Sequence, residues 1–122
     1  MSFVPESFLK QVYRAGSLQN TPAGVQFALK NTLARATVTQ IEEITFDQTP
    51  CDLGQVTFSF PDGSSLVAGQ ISPDNPLTFK INQQVTVAVA GTKLGAGSHE
   101  ITIGLKTREY GGFRFTVTDS LA

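Results

Sequence analysis

His99 is the only histidine in the chain. A histidine-based nucleophile relay or a two-histidine metal site is therefore excluded within one copy. His99 follows Gly97-Ser98 and opens a run whose apolar residues are Ile101, Ile103 and Leu105, so it shares their parity. An imidazole at that place closes the end of a core and bonds to backbone; a catalytic or ligand-binding role is the alternative. Glu42 and Glu43 would serve as general acid and base only if both faced one pocket. Neighbours on a strand point to opposite faces, so the pair diverges unless a bulge turns one of them. Asp47, Asp52, Asp62 and Asp74 fall at or near turns, where aspartate bonds its own backbone. Their spacing does not follow the Asp-x-Asp-x-Asp pattern of a calcium loop.

The remaining candidates read as structural. Cys51 follows Pro50 with no histidine or lysine beside it in sequence, which describes an inert thiol. The glycines form neither G-x-G-x-x-G nor G-x-x-x-x-G-K, the patterns that cradle phosphates. Ser17, Ser64 and Ser65 sit in no nucleophile elbow. Phe113 and Phe115 flank Arg114 and share one face. They would stack nucleic-acid bases only if a basic surface surrounded them; otherwise they are core. No catalytic, cofactor-binding or metal-binding residue is assigned to this chain.

These side chains must be held by a mostly β framework. Val25-Gln26-Phe27-Ala28-Leu29, Val56-Thr57-Phe58-Ser59-Phe60, Val85-Thr86-Val87-Ala88-Val89, 99–107 and 113–118 all alternate with a period of two. That period makes each a strand with one buried face. A weaker strand fits Leu66–Ile71. Turns are expected at Thr21-Pro22-Ala23-Gly24, with 12–18 as the incoming arm, and at Pro61-Asp62-Gly63, Gly95-Ala96-Gly97 and Tyr110-Gly111-Gly112. Between Ile41 and Ile44 the period shifts, which reads as a bulge. Strands at this spacing build a sandwich or a barrel, not βαβ units. Ser72-Pro73-Asp74-Asn75-Pro76 is the expected crossing between two sheets. Residues 5–13 place Phe8, Leu9, Val12 and Tyr13 at helical spacing behind Pro5, so residues 1–11 form an arm or a short helix.

Composition narrows the function classes. A chain of 122 residues is one domain, spanning 1–122. With 40% hydrophobic and only 16% charged residues, it is not disordered. No apolar run reaches the ~18 residues of a membrane span, and the N-terminus lacks a signal-peptide pattern. A single cysteine excludes an internal disulfide and fits a reducing, cytoplasmic compartment. The net charge of −1 leaves no basic footprint for nucleic acid or an anionic membrane. Charge is uneven, however. Residues 41–76 carry six carboxylates and no lysine or arginine. Either neighbouring strands answer them on one solvent face, or the segment is an acidic interface.

Four motifs, Val12-Tyr13-Arg14-Ala15-Gly16-Ser17-Leu18, Thr21-Pro22-Ala23-Gly24-Val25-Gln26-Phe27, Ile41-Glu42-Glu43-Ile44-Thr45-Phe46-Asp47 and Leu94-Gly95-Ala96-Gly97-Ser98-His99, resemble in order and spacing the small β-subunits of C-glycoside deglycosidases. The resemblance covers residues 10–118. It implies an all-β, immunoglobulin-like antiparallel sandwich of about 7–9 strands. It also implies a non-catalytic accessory subunit that assembles with a sugar isomerase-like (β/α)-barrel. The divalent metal and the catalytic residues belong to that barrel, and the complex cleaves a carbon–carbon bond between an oxidised sugar and its aglycone. No functional residue carries over to this chain. The alternative is a stand-alone module binding a glycan or a protein ligand. The Val85–Val89 run has no charge to blunt an exposed edge, so it is expected to be central or covered by another chain. The N-terminal arm, with Phe3, Phe8, Leu9 and Tyr13, is the other apolar element that needs a surface. Either could instead support a symmetric homodimer.

Overall fold

The alternating runs become strands that pair antiparallel in two sheets, as a computed structural model describing residues 5–122 shows. Ten strands form: β1 (Gln19–Asn20), β2 (Gly24–Lys30), β3 (Ala36–Phe46), β4 (Thr49–Pro50), β5 (Val56–Ser59), β6 (Ser65–Val67), β7 (Leu77–Phe79), β8 (Gln84–Ala90), β9 (Gly97–Thr107) and β10 (Gly111–Leu121). The first sheet runs β1-β2-β8-β5-β6. The second runs β10-β9-β3-β4, with β7 also paired to β3. The architecture is an all-β antiparallel sandwich. The count exceeds the expected 7–9 because β1, β4 and β7 are pairings of two or three residues, too short to leave a periodic signal.

Register explains the core. Phe27 stands opposite Val87, which stands opposite Phe58. On the facing sheet Ile44, Ile103 and Phe115 lie in one row. Each of these six is at most 4% exposed, so the two rows meet as the sandwich interior. Strand β8 is central in its sheet, which resolves the Val85–Val89 expectation in favour of internal pairing. The irregularity near Ile41 is present as a register shift between Ile41 and Glu43, and a second lies between Val38 and Gln40. The Thr21–Gly24 turn closes as expected, through Thr21 N–H to Gly24 C=O at 2.8 Å and Gly24 N–H to Thr21 C=O at 3.2 Å. Only glycine fits its last position, since a Cβ on Gly24 would lie 2.0 Å from the Val89 carbonyl oxygen.

Several expectations need correction. The helix α1 is one turn only, Glu6–Lys10, and Pro5 precedes it as the cap rather than occupying its first position. The arm behind it does not form a regular strand over 12–18. Instead, Arg14 N–H bonds Ala28 C=O and Lys30 N–H bonds Val12 C=O, a short bridge along the edge of β2 that also carries β1. Leu9 and Tyr13 are buried, Val12 is half-buried, and Phe8 is 49% exposed. The arm therefore finds its surface within the molecule, lying beside β10. Phe3 lies outside the described residues. The weak strand at 66–71 shortens to Ser65–Val67 and ends in a 3-10 turn at 68–70. The last hairpin turns one step earlier than its glycines suggest, at 108–110, and Gly111 already opens β10 with φ +78°. Among the described residues, no helix is long and apolar enough to cross a membrane.

Candidate functional site

The two poles of the sandwich hold different chemistry. At one pole β3 ends in Phe46, and Asp47 and Gln48 turn the chain with positive φ of 52° and 69°. Asp47 N–H donates to Glu100 C=O, and Glu100 N–H donates to Asp47 Oδ1 at 2.9 Å. This exchange brings Asp47 to His99, whose Nδ1 lies 2.6 Å from Asp47 Oδ2. The other ring nitrogen, Nε2, lies 2.7 Å from the Gly95 carbonyl oxygen. Both partners are acceptors, so the geometry favours the ring that carries a proton on each nitrogen. The Asp47 carboxylate, and after it the Gly95 carbonyl, raises the His99 pKa above its ordinary 6.5. The His99 ring, followed by the Glu100 N–H, lowers the Asp47 pKa below 3.8. The expected backbone bond is therefore present, and the charge partner is one that sequence distance concealed.

This latch gives a pH dependence with a definite sign. Stabilisation from a raised histidine pKa is complete below 6.5 and is lost as pH rises through the folded-state value. Stabilisation from Asp47 is complete above 3.8 and is lost as pH falls through its depressed value. Thermal melts should show the melting temperature falling as pH rises past neutrality. In His99→Gln that alkaline decline should be absent, and a decline of equal slope in the variant would refute the latch.

The other carboxylates are spread over the molecule. The bulge puts Glu42 and Glu43 on the same outer face of the second sheet, so they do not diverge. Each meets a cation: Lys106 Nζ is 4.0 Å from Glu42 and Arg114 is 3.5 Å from Glu43. The acidic segment is thus answered in part by β9 and β10, the first of the two readings of its charge. Asp52 accepts Gly54 N–H at 2.9 Å. The Ser64 hydroxyl at 2.6 Å and the Ser64 N–H at 2.8 Å hold the Asp62 carboxyl below its usual range. Asp74 lies in the turn closed by Ser72 and Asn75. Cys51 is half-buried, and burial pushes its thiol up despite a contact with Thr92. Ser17 Oγ accepts Ala28 N–H, a structural bond. Phe115 is buried and Phe113 half-buried on the inner face, while Arg114 points outward, so this trio is core. Among the described residues, no three or more His, Cys, Asp or Glu gather as a metal site.

Asp119 is a carboxylate that sequence reasoning passed over. Its Oδ2 accepts the Tyr13 hydroxyl at 2.7 Å, Gly16 N–H at 3.0 Å and Leu18 N–H at 3.2 Å, while Oδ1 accepts Ser120 N–H at 2.8 Å. Burial would raise its pKa, but these donors together lower it. Burial first, and then this bond, raise that of Tyr13. The Asp at 119 and the Gly-Ser-Leu at 16–18 are about a hundred residues apart, so no local pattern joins them.

The opposite pole contains a cavity of about 310 Å³ between the sheets. Leu29 and Val85 line it from the first sheet, Val38, Leu105 and Phe115 from the second, and Leu9 from α1. Asn31, 4% exposed, stiffens its rim. Its Nδ2 donates to Ala34 C=O and Phe79 C=O, and its Oδ1 accepts Leu33 and Ala34 N–H. Asn31 also exchanges backbone bonds with Asn82 and Gln83. Alternation gave the inward residues but carries no information on the gap between sheets, which is why the cavity was not foreseen.

No curated protein matches the chain. Residues 8–122, covering all of the sandwich, match one family, and by that match the chain belongs to the family described as hydroxymethylglutaryl-CoA reductase, N-terminal domain.

Proposed function

We propose that this chain is a non-catalytic accessory module that works with a larger catalytic chain in the cytoplasm. The observation that carries the reading is His99. With Nδ1 on Asp47 and Nε2 on Gly95, the ring has no nitrogen free to act as base, nucleophile or ligand. Asp47 and Asp119 are likewise committed to backbone N–H groups. The family description names a domain of an enzyme and not a whole enzyme, which is compatible with a module that works beside a catalytic unit. The resemblance to C-glycoside deglycosidase β-subunits also points to a larger partner, there a metal-dependent sugar isomerase-like (β/α)-barrel. Exposed Phe8 and Ile81, at 49% and 55%, are apolar contacts available to such a chain.

Affinity capture of the tagged chain from its native cytosol tests this, with captured proteins identified by mass spectrometry. One larger enzyme recovered in stoichiometric amount, whose activity falls when the chain is removed, is the expected result. Recovery of the bait alone across salt concentrations overturns the reading. The stand-alone binding module has one specific observation in its favour, the cavity. Its apolar lining does not suit a glycan, which needs an exposed aromatic platform and polar partners.

A further inference from the structure

We propose that the cavity between the sheets is a binding site for a small anionic amphiphile, with an apolar body of about ten to twelve non-hydrogen atoms. The size follows from volume. A cavity of ~150 Å³ lined by aliphatic and aromatic side chains takes up benzene, and this one has about 310 Å³. That leaves room for roughly twice as many atoms, at the lower limit of known ligand sites.

The apolar character of the body follows from the lining's hydrogen bonds. Asn31 spends both side-chain polar atoms on Ala34, Phe79 and Leu33 backbone. Thr107 Oγ1 donates to Gly111 C=O and accepts Tyr110 N–H. Among the described residues, no buried side-chain nitrogen or oxygen is left without a partner. Burying a polar group that finds no partner is unfavourable, so the interior selects hydrocarbon. The rim bonds between Asn31, Asn82 and Gln83 also hold the opening in shape, which lowers the ordering cost of binding.

The anionic head follows from the topology of the pole. The segments ending there place Arg35, Lys80 and Arg108 each next in sequence to a lining residue, Ala34, Phe79 and Thr107, and Arg108 also donates to Pro73 C=O at 3.3 Å; Lys30, beside Leu29, faces the outer side of the first sheet. Two carboxylates answer them. Asp62 lies near Lys80 and Glu109 near Arg108, and Glu109 is already held by the Thr37 N–H and hydroxyl. These three cations and two carboxylates sum to +1, against −1 for the whole chain. A head group in water above an apolar slot is drawn by that field at little desolvation cost.

Calorimetric titration of the full chain with decanoate, decyl phosphate, decanol and decyltrimethylammonium, all below their aggregation thresholds, tests the proposal. Saturable one-to-one binding of an anionic ligand, at least tenfold tighter than the cationic one and tighter than decanol, is expected. The relative affinity of decanoate and decyl phosphate identifies the head as carboxylate or phosphate. Ala36→Phe, which fills the cavity from β3, should abolish binding of all four. Arg35→Glu leaves the lining intact and should weaken the anions several-fold without changing decanol. Absent or non-saturating binding of both anions overturns the site. Equal affinity for anion and cation, or no response to Arg35→Glu, overturns the head-group assignment even if Ala36→Phe does not fold.

Discussion

Replacing Phe27 by alanine is expected to cost about 4 kcal/mol of stability, as large-to-small changes at fully packed aromatic positions do. Phe27 is 1% exposed and lies at the middle of β2, opposite Val87. Its ring meets Phe46 of the facing sheet edge-on at 6.2 Å and tilts against Tyr13 at 5.5 Å. It therefore joins three parts of the chain: the first sheet, the second sheet and the N-terminal arm. Truncation removes the transfer energy of the ring and leaves a void that two paired sheets cannot close. At roughly 4 °C per kcal/mol for a domain of this size, the melting temperature should drop by about 15 °C. Phe27→Leu should lose less than half of that. Calorimetry on both variants checks the ratio, and similar losses for Leu and Ala would show that the edge-on geometry, not volume, is what the site needs.

Asp119→Ala should be the next most damaging change, costing about 2–3 kcal/mol. Four donors converge on this carboxylate, and hydrogen bonds to a charged group are worth more than neutral ones. Partial exposure lets water replace some of them, which keeps the loss below the sum of four. The cost is not confined to β10, because three of the donors belong to residues 13–18. The first observable effect should be release of the arm: faster amide exchange at Gly16 and Leu18, with Tyr13 titrating nearer its ordinary value of 10. Asp119→Asn keeps the shape and removes the charge, so it should fall between wild type and alanine. The contribution of Asp119 is complete above pH 3.8 and is lost as pH falls through its lowered pKa. Unchanged exchange at Gly16 in the alanine variant would refute the anchoring role.

Among the elements, those with a period of two were legible because strand geometry repeats every second residue. Val25, Phe27 and Leu29 inward, with Gln26 and Lys30 outward, needed no partner to be read. The Thr21–Gly24 turn and the bulge near Ile41 were legible for similar local reasons: a proline–glycine turn in one, a broken period in the other. The single cysteine, the single histidine and the missing phosphate and calcium patterns likewise followed from residue types alone.

What required the tertiary structure was everything set by pairing at long separation. His99 finds Asp47 across 52 residues, and Tyr13 finds Asp119 across 106. In both cases the strand order decides the meeting, β3 beside β9 and the arm beside β10, and alternation alone does not specify strand order. The Glu42–Glu43 pair ended on one face because a register shift overrides the period that would separate them. The 310 Å³ cavity is the clearest case. Its walls are ordinary inward residues of both sheets, joined by Asn31, Thr32, Leu33, Ala34 and Tyr110 from the connecting loops at that pole. Side-chain identity determines which face is buried. Only the distance between the faces determines whether that face packs shut or leaves room for a guest.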